Sequence, residues 1–218
     1  MTSQKRKGGS AAVRDIETLL KADIAAGVLD AGRRLVEAQL CERFSATRGK
    51  VREALRRLEQ DRLVRIVPNV GAIVAEFTQK DIEQAYDLMS VLEGLAVRVG
   101  TPFVTAEKLE SMEVLIARME ATDKVSEFHC PNDALHVLLA SLSENERLIG
   151  YTDNLRVHLR RFGLKALSNP LQIAASKMEH RKIFEAIQQV KPAMAERLVR
   201  NHYVNAKNRL IKGMNRSL

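Results

Sequence analysis

Three histidines of the chain lie on otherwise apolar helical stretches, far apart in sequence. His136 is followed by Leu139 and Ala140 at three and four residues and preceded by Asn132 at four; His180 shares a face with Ile183, Phe184 and Ile187; His202 lies between Leu198 and Ala206. One histidine in such a setting is ordinarily a packed, hydrogen-bonded core residue. Three on separate helices share one explanation if their neutral imidazoles converge on a divalent ion. His129 and His158 lack that setting and read as structural or surface residues. Cys41 and Cys130 are too few and too far apart for a disulfide framework or a zinc knuckle.

A second group of residues can bind a polyanion. Thr47-Arg48-Gly49-Lys50-Val51-Arg52 opens a stretch in which Val51, Leu55 and Leu58 form an amphipathic stripe with basic residues on the other faces. A recognition helix inserts its N-terminal residues into the major groove. There an arginine can bond a guanine bidentately, and lysine and threonine can hold phosphates or base edges. Of Arg56 and Arg57, one is expected to face the DNA backbone and the other solvent. The net charge of +8 favours a polyanionic partner, and residues 1–76 carry 15 Lys+Arg against 10 Asp+Glu, the more basic part of the chain per residue.

The elements that must position these residues follow from periodicity. A first helix is expected over 13–26, with Ile16, Leu19, Leu20 and Ile24 on one face and Gly27 ending it. The turn VLDAGRRL leads to a short helix over 37–44, then to the basic helix. VRIVPNVGAIVAEF reads as two β-rich runs around a Pro68-Asn69-Val70-Gly71 turn. Three helices and a hairpin make a winged helix-turn-helix over residues 13–77, preceded by a flexible basic arm, 1–12. From Thr78 the strand signal ends. Ile82, Ala85, Leu88, Leu92, Leu95 and Val99 recur at helical spacing, and further stripes run over 105–121, 131–143, 145–167, 172–189 and 192–213. Pro131, Asn169-Pro170 and Pro192 are read as breaks between them. The fold class is therefore mostly α: the winged helix-turn-helix followed by an all-α, six-helix, bundle-like domain over 78–218. No apolar run approaches the ~20 residues that span a bilayer, and MTSQKRKGGS has no apolar core of a secretory signal, so the cytoplasm is the expected compartment.

The run GVLDAGRRLVEAQLCERFSATRGKVREALRRLEQDRLVRIVPNVGAIV resembles the N-terminal domain of the GntR family. It has the Gly-x-Leu turn, the Leu-x-Glu-x-x-Leu helix, the Ser/Thr-Arg-x-x-Val-Arg-Glu-Ala-Leu recognition helix and a wing with Asn-x-Gly. The resemblance implies DNA contacts by Thr47, Arg48, Arg52 and the wing Gly71, which Lys50 joins by its charge. Gly49-Lys50 stands where the family has Thr-Pro, which implies an altered operator preference. Ala38 stands where acyl-CoA-responsive members have an arginine.

Residues 78–218 resemble the FCD domain of the FadR branch, in its smaller VanR-like form. Such domains carry Asp-x-x-x-His on one helix and a histidine on each of two later helices; Asn132, His136, His180 and His202 fall on those positions. The resemblance implies a divalent metal, zinc or nickel, held by these four residues. Asn132 removes the usual carboxylate, so the ion is held less tightly or recruits an anion. Met89 stands where the family often places an arginine, four residues before Glu93; Arg156 and Arg160, one turn apart, either replace that clamp or form a solvated pair. The favoured function is a homodimeric repressor of a pseudo-palindromic DNA operator, controlled by a small metabolite such as an organic acid. The alternatives are an architectural DNA-binding dimer with a structural metal, and a metal-dependent enzyme. The last lacks an HExxH motif or a matching general base.

Overall fold

The computed structural model describes the backbone of residues 7–76, 78–166 and 170–214 and the side chains of 12–76, 78–160 and 172–214. The chain divides into two compact units, residues 1–78 and 79–218.

The first unit contains α1 (Lys7–Ala25), β1 (Arg34–Leu35), α2 (Glu37–Arg43), α3 (Arg48–Gln60), β2 (Val64–Val67) and β3 (Gly71–Val74). Val13, Ile16, Leu20 and Ile24 of α1 and Val51, Ala54, Leu55 and Leu58 of α3 are buried, and the two helices pack together. Leu19, expected on the same face of α1, is 49% exposed. α1 also begins at Lys7, so half of the expected arm is helix; Ala11 and Ala12 are strong helix formers that offset Gly8-Gly9. The rest of that arm, 1–6, lies outside the described residues. Gly27, at φ 73°, ends α1 in a Schellman motif, with Val28 N–H bonding Asp23 O at 2.9 Å and Gly27 N–H bonding Ile24 O at 3.2 Å.

The expected hairpin is part of a three-stranded antiparallel sheet in the order β1-β3-β2. β1, two residues within the stretch read as a turn, pairs Arg34 with Ile73 and Leu35 with Ala72. At the wing tip Val70 N–H bonds Val67 O at 3.1 Å. Pro68 and Asn69 fill the central positions, and Asn69 takes φ 63°, as a type II turn asks of its third residue. Gly71 follows at φ 101°.

The second unit holds the six expected helices: α4 (Gln79–Gly100), α5 (Ala106–Glu120), α6 (Val125–Ser141), α7 (Glu146–Ala166), α8 (Pro170–Gln188) and α9 (Pro192–Met214). α4 packs on α6, α7 and α9, most extensively on α9. Pro170 and Pro192 open helices at the first position, where no N–H is needed. Asn169, read as part of a break, lies outside the described residues. Pro131 is not a break: it sits inside α6, which starts at Val125. A proline there loses the bond to the carbonyl four residues back and crowds that carbonyl, but Phe128 and Pro131 are both buried, so packing holds the turn that propensity alone would lose.

The buried face of α4 also differs from expectation. It comprises Ile82, Ala85, Tyr86, Met89, Glu93, Gly94, Ala96, Val97 and Gly100. Leu88, Leu95 and Val99, from the same expected stripe, are 54%, 42% and 43% exposed. Among the described residues, no helix is long and apolar enough to cross a membrane.

Candidate DNA-reading surface and ligand cavity

α3 presents its N-terminal turn to solvent. Thr47 is the N-cap but makes no side-chain capping bond, so its hydroxyl remains available. Thr47, Arg48 and Gly49 are exposed and Lys50 is half-buried. A Cβ at Gly49 would meet nothing within 4 Å; the glycine is not required by packing within the unit. Arg52 is 61% exposed and holds Glu37 of α2, Nε lying 2.9 and 3.0 Å from its two carboxylate oxygens. That pairing orients Arg52 and commits its Nε to Glu37. Arg57 turns inward to Glu53 at 3.1 Å and Glu17 at 3.6 Å, whereas Arg56 is exposed.

The three histidines come together in the second unit. His136 on α6, His180 on α8 and His202 on α9 are buried, and one ligand atom from each lies within 4.8 Å of the other two. Ring centroids are 4.5 Å apart for His180 and His202, and 5.2 Å for His136 with either. Nitrogens around a tetrahedral zinc stand about 3.4 Å apart, so small rotations of these rings suffice.

Hydrogen bonding distinguishes the three. His136 Nδ1 is 2.7 Å from Glu93 Oε1, and His202 Nδ1 is 2.7 Å from Glu179 Oε2. Each bond leaves Nε2 available, and a carboxylate behind an imidazole fixes the tautomer a metal ligand needs. His180 has no hydrogen-bond partner at either ring nitrogen, although both are buried. Such an orphaned ring is costly without an acceptor, donor or metal. Burial, with His202, His136 and Arg209 around it, holds His180 well below its usual pKa. Burial likewise lowers His202, against the opposing bond to Glu179. Neutral imidazole is the metal-binding form, and the residues present fit the group.

Sequence reasoning assigned no role to the two carboxylates. Glu93 is wholly buried and accepts from His136, from Tyr203 OH at 2.9 Å and from Arg156 Nη2 at 3.4 Å. Burial works to raise Glu93, but His136, Arg156 and Tyr203 outweigh it and keep the carboxyl below its ordinary range. Glu179 is likewise opposed by burial, yet His202 and Arg209 hold it at about 2. Both belong to contacts between helices distant in sequence, and the only local signal was their position beside Leu92 and His180.

These groups border a cavity with about 80 Å³ open to the centres of water molecules, room for about five to eight waters. Asn132, Met89, Arg156 and Arg160 line it with His136 and His202. Asn132, half-buried on α6, makes no side-chain hydrogen bond among the described residues. Arg156 and Arg160 are not a solvated pair. Arg156 is 8% exposed and bonds the His136 carbonyl at 3.1 Å, and Arg160 Nε lies 2.5 Å from Asp133. Met89 contributes apolar wall, 1% exposed. His129, read as structural or surface, also lines the cavity, 3.5 Å from Asp133.

Comparison with known proteins identifies both units. Residues 12–74 match the bacterial regulatory proteins of the gntR family, and residues 84–205 match the FCD domain. The chain is 27% identical over 191 residues to the uncharacterized HTH-type transcriptional regulator YdhC of Bacillus subtilis, across 84% of each. It is 22% identical over 196 residues to the HTH-type transcriptional repressor RspR of Escherichia coli K12, covering 87% of this chain and 84% of that one. Its fold is similar to that of E. coli McbR/YncC, with TM-score 0.79 and 19% identity, over 92% of this chain and 97% of that one. The chain belongs to the GntR family, with an FCD domain following its helix-turn-helix domain; it is a transcriptional regulator, not an enzyme.

Removing Glu93 leaves the Arg156 charge and the Tyr203 hydroxyl buried without their acceptor. Glu93→Ala is expected to lower unfolding stability by about 3–5 kcal/mol, read from urea denaturation. A loss below about 1 kcal/mol would show that the cluster rearranges freely around the vacancy.

Proposed function

We propose that the chain is a homodimeric repressor whose affinity for a pseudo-palindromic operator is set by a small organic acid bound in the cavity of the second unit. Residues 13–77 read DNA, and residues 78–218 bind the effector and dimerise. The division of the chain into two units supports this split. His136, His180 and His202 hold one divalent ion, with the Asn132 amide oxygen as a weaker fourth ligand. A three-imidazole set favours zinc or nickel, and the ion supplies a Lewis-acid centre able to accept a carboxylate oxygen. The observation that carries this reading is the partnerless, fully buried His180 ring between two histidines already oriented by carboxylates.

The exposed stripe of Leu88, Val91, Leu95 and Val99 on α4 supports dimerisation, since monomers rarely leave such a row open. Two-fold symmetry then places one α3 on each half-site. Thr47, Arg48, Lys50 and Arg52 contact the major groove and backbone, and the wing at Gly71 adds backbone contacts. Several relatives are named as repressors, which supports the direction of control. Such a regulator works in the cytoplasm, where its operator lies.

On an operator recovered by selection from random DNA, Arg48→Ala is expected to cost about 1–3 kcal/mol of specific binding at matched salt. Unchanged affinity would remove α3 from the reading role. For the metal, wild type stripped with a chelator and reloaded with zinc should retain about one ion per chain, and His180→Ala much less than that. Asn132→Asp should resist the chelator longer than wild type. Wild type that never holds zinc after reloading, while effector response persists in His180→Ala, would overturn the metal-based mechanism.

A further inference from the structure

We infer that the acid sensed in this cavity is a small dianion, a dicarboxylate of fewer than about ten non-hydrogen atoms; the inference rests on the metal-bearing effector site proposed above. Three arginines line the cavity, and each already holds one carboxylate. Arg156 lies 3.4 Å from Glu93, Arg160 2.5 Å from Asp133 and Arg209 2.9 Å from Glu179. These charges cancel one for one. Asn132 adds none, and histidines that ligate a metal do so as neutral imidazoles. The divalent ion is then the uncompensated charge beside three buried histidines, where unmatched charge is unfavourable. A ligand that balances it carries two negative charges.

Hydrogen bonding points the same way, independently of the charge count. The Nε–H groups of Arg156 and Arg209 are buried and have no acceptor in the structure among the described residues. They belong to α7 and α9, so two arginines that line the cavity from different helices each keep an unpaired donor. A dicarboxylate presents acceptors at both ends of its chain. Inorganic phosphate carries comparable charge but gathers its acceptors on one centre, and a neutral sugar leaves the metal charge unmatched. Arg156 and Arg209 thereby take the part that an arginine at position 89 would have played, which is why Met89 can stand as plain apolar wall.

The test is calorimetric titration of the zinc-loaded full chain with succinate, malate, lactate and inorganic phosphate at constant ionic strength. Succinate or malate is expected to bind at least tenfold more tightly than lactate or phosphate. Asn132→Asp places an extra negative charge at the cavity wall and should reduce the dicarboxylate preference over lactate at least tenfold while keeping zinc. Lactate binding as tightly as the dicarboxylates, or a preference unchanged in Asn132→Asp, would overturn the dianion inference and leave the effector site standing. Phosphate binding most tightly would overturn the dicarboxylate assignment. Failure of all four anions to bind protein shown to hold zinc would overturn the effector reading along with this inference.

Discussion

Glu93 has no exposed surface, and a carboxylate in that position persists only if donors surround it. Its donors come from three helices: His136 on α6, Arg156 on α7 and Tyr203 on α9. One buried charge thus ties α4 to three of the helices that wall the cavity. Buried ion pairs do not reliably stabilise a fold more than well-packed apolar side chains would. What this one does is positional: it sets the His136 ring so that one nitrogen is committed to the carboxylate and the other is left for a ligand. Glu179 repeats the arrangement for His202 with Arg209 as its counter-charge. His180, between them, is held by packing alone, against Phe128 and the two imidazoles.

α4 therefore has two occupations. Its inner face carries Met89 into the cavity wall and Glu93 into the buried cluster; its outer face carries the leucine and valine row left open to solvent. In the proposed dimer a ligand that pulls on the histidines and arginines loads Glu93, and through it the helix that bears the interface. A ligand can shift the DNA-binding equilibrium only by its difference in affinity between the two arrangements. The charge and hydrogen-bond partners of the cavity supply a place for that difference to arise. α4 is also the first helix after the winged domain, with only residues 75–78 between it and β3.

Much of this was legible in the sequence because the relevant signals are local. Val51, Leu55 and Leu58 with basic residues between them specify α3 without reference to the rest of the chain, and Pro68-Asn69 with Gly71 specifies the wing. The three histidines were recognisable because each shares a helical face with residues that are buried. The misses have physical causes of another kind. β1 is two residues long and exists only through its pairing with β3. Pro131 reads as a helix break by propensity, but the packing of its turn decides otherwise. On α4 the most hydrophobic row is the outer one, while the inner face includes glycine, alanine and a glutamate, because α9 must approach it closely. A Cβ at Gly94 would lie 3.1 Å from the Arg200 side chain on α9. Hydropathy alone therefore finds Ile82 and Ala85 on the buried face but then follows Leu88, Leu95 and Val99 onto the exposed one. The roles of Glu93 and Glu179 depend on partners as far apart as 110 residues, which no periodicity encodes.

The convergence of His136, His180 and His202 on one ion is the claim from which the rest of the mechanism follows. X-ray absorption at the metal edge, on full-length protein purified without chelator and then zinc-loaded, tests it most directly. A first shell of nitrogen and oxygen at about 2.0–2.1 Å, with the outer-shell scattering of three imidazole rings, is the expected result. A sulphur shell at about 2.3 Å, or a shell without imidazole scattering, would contradict it.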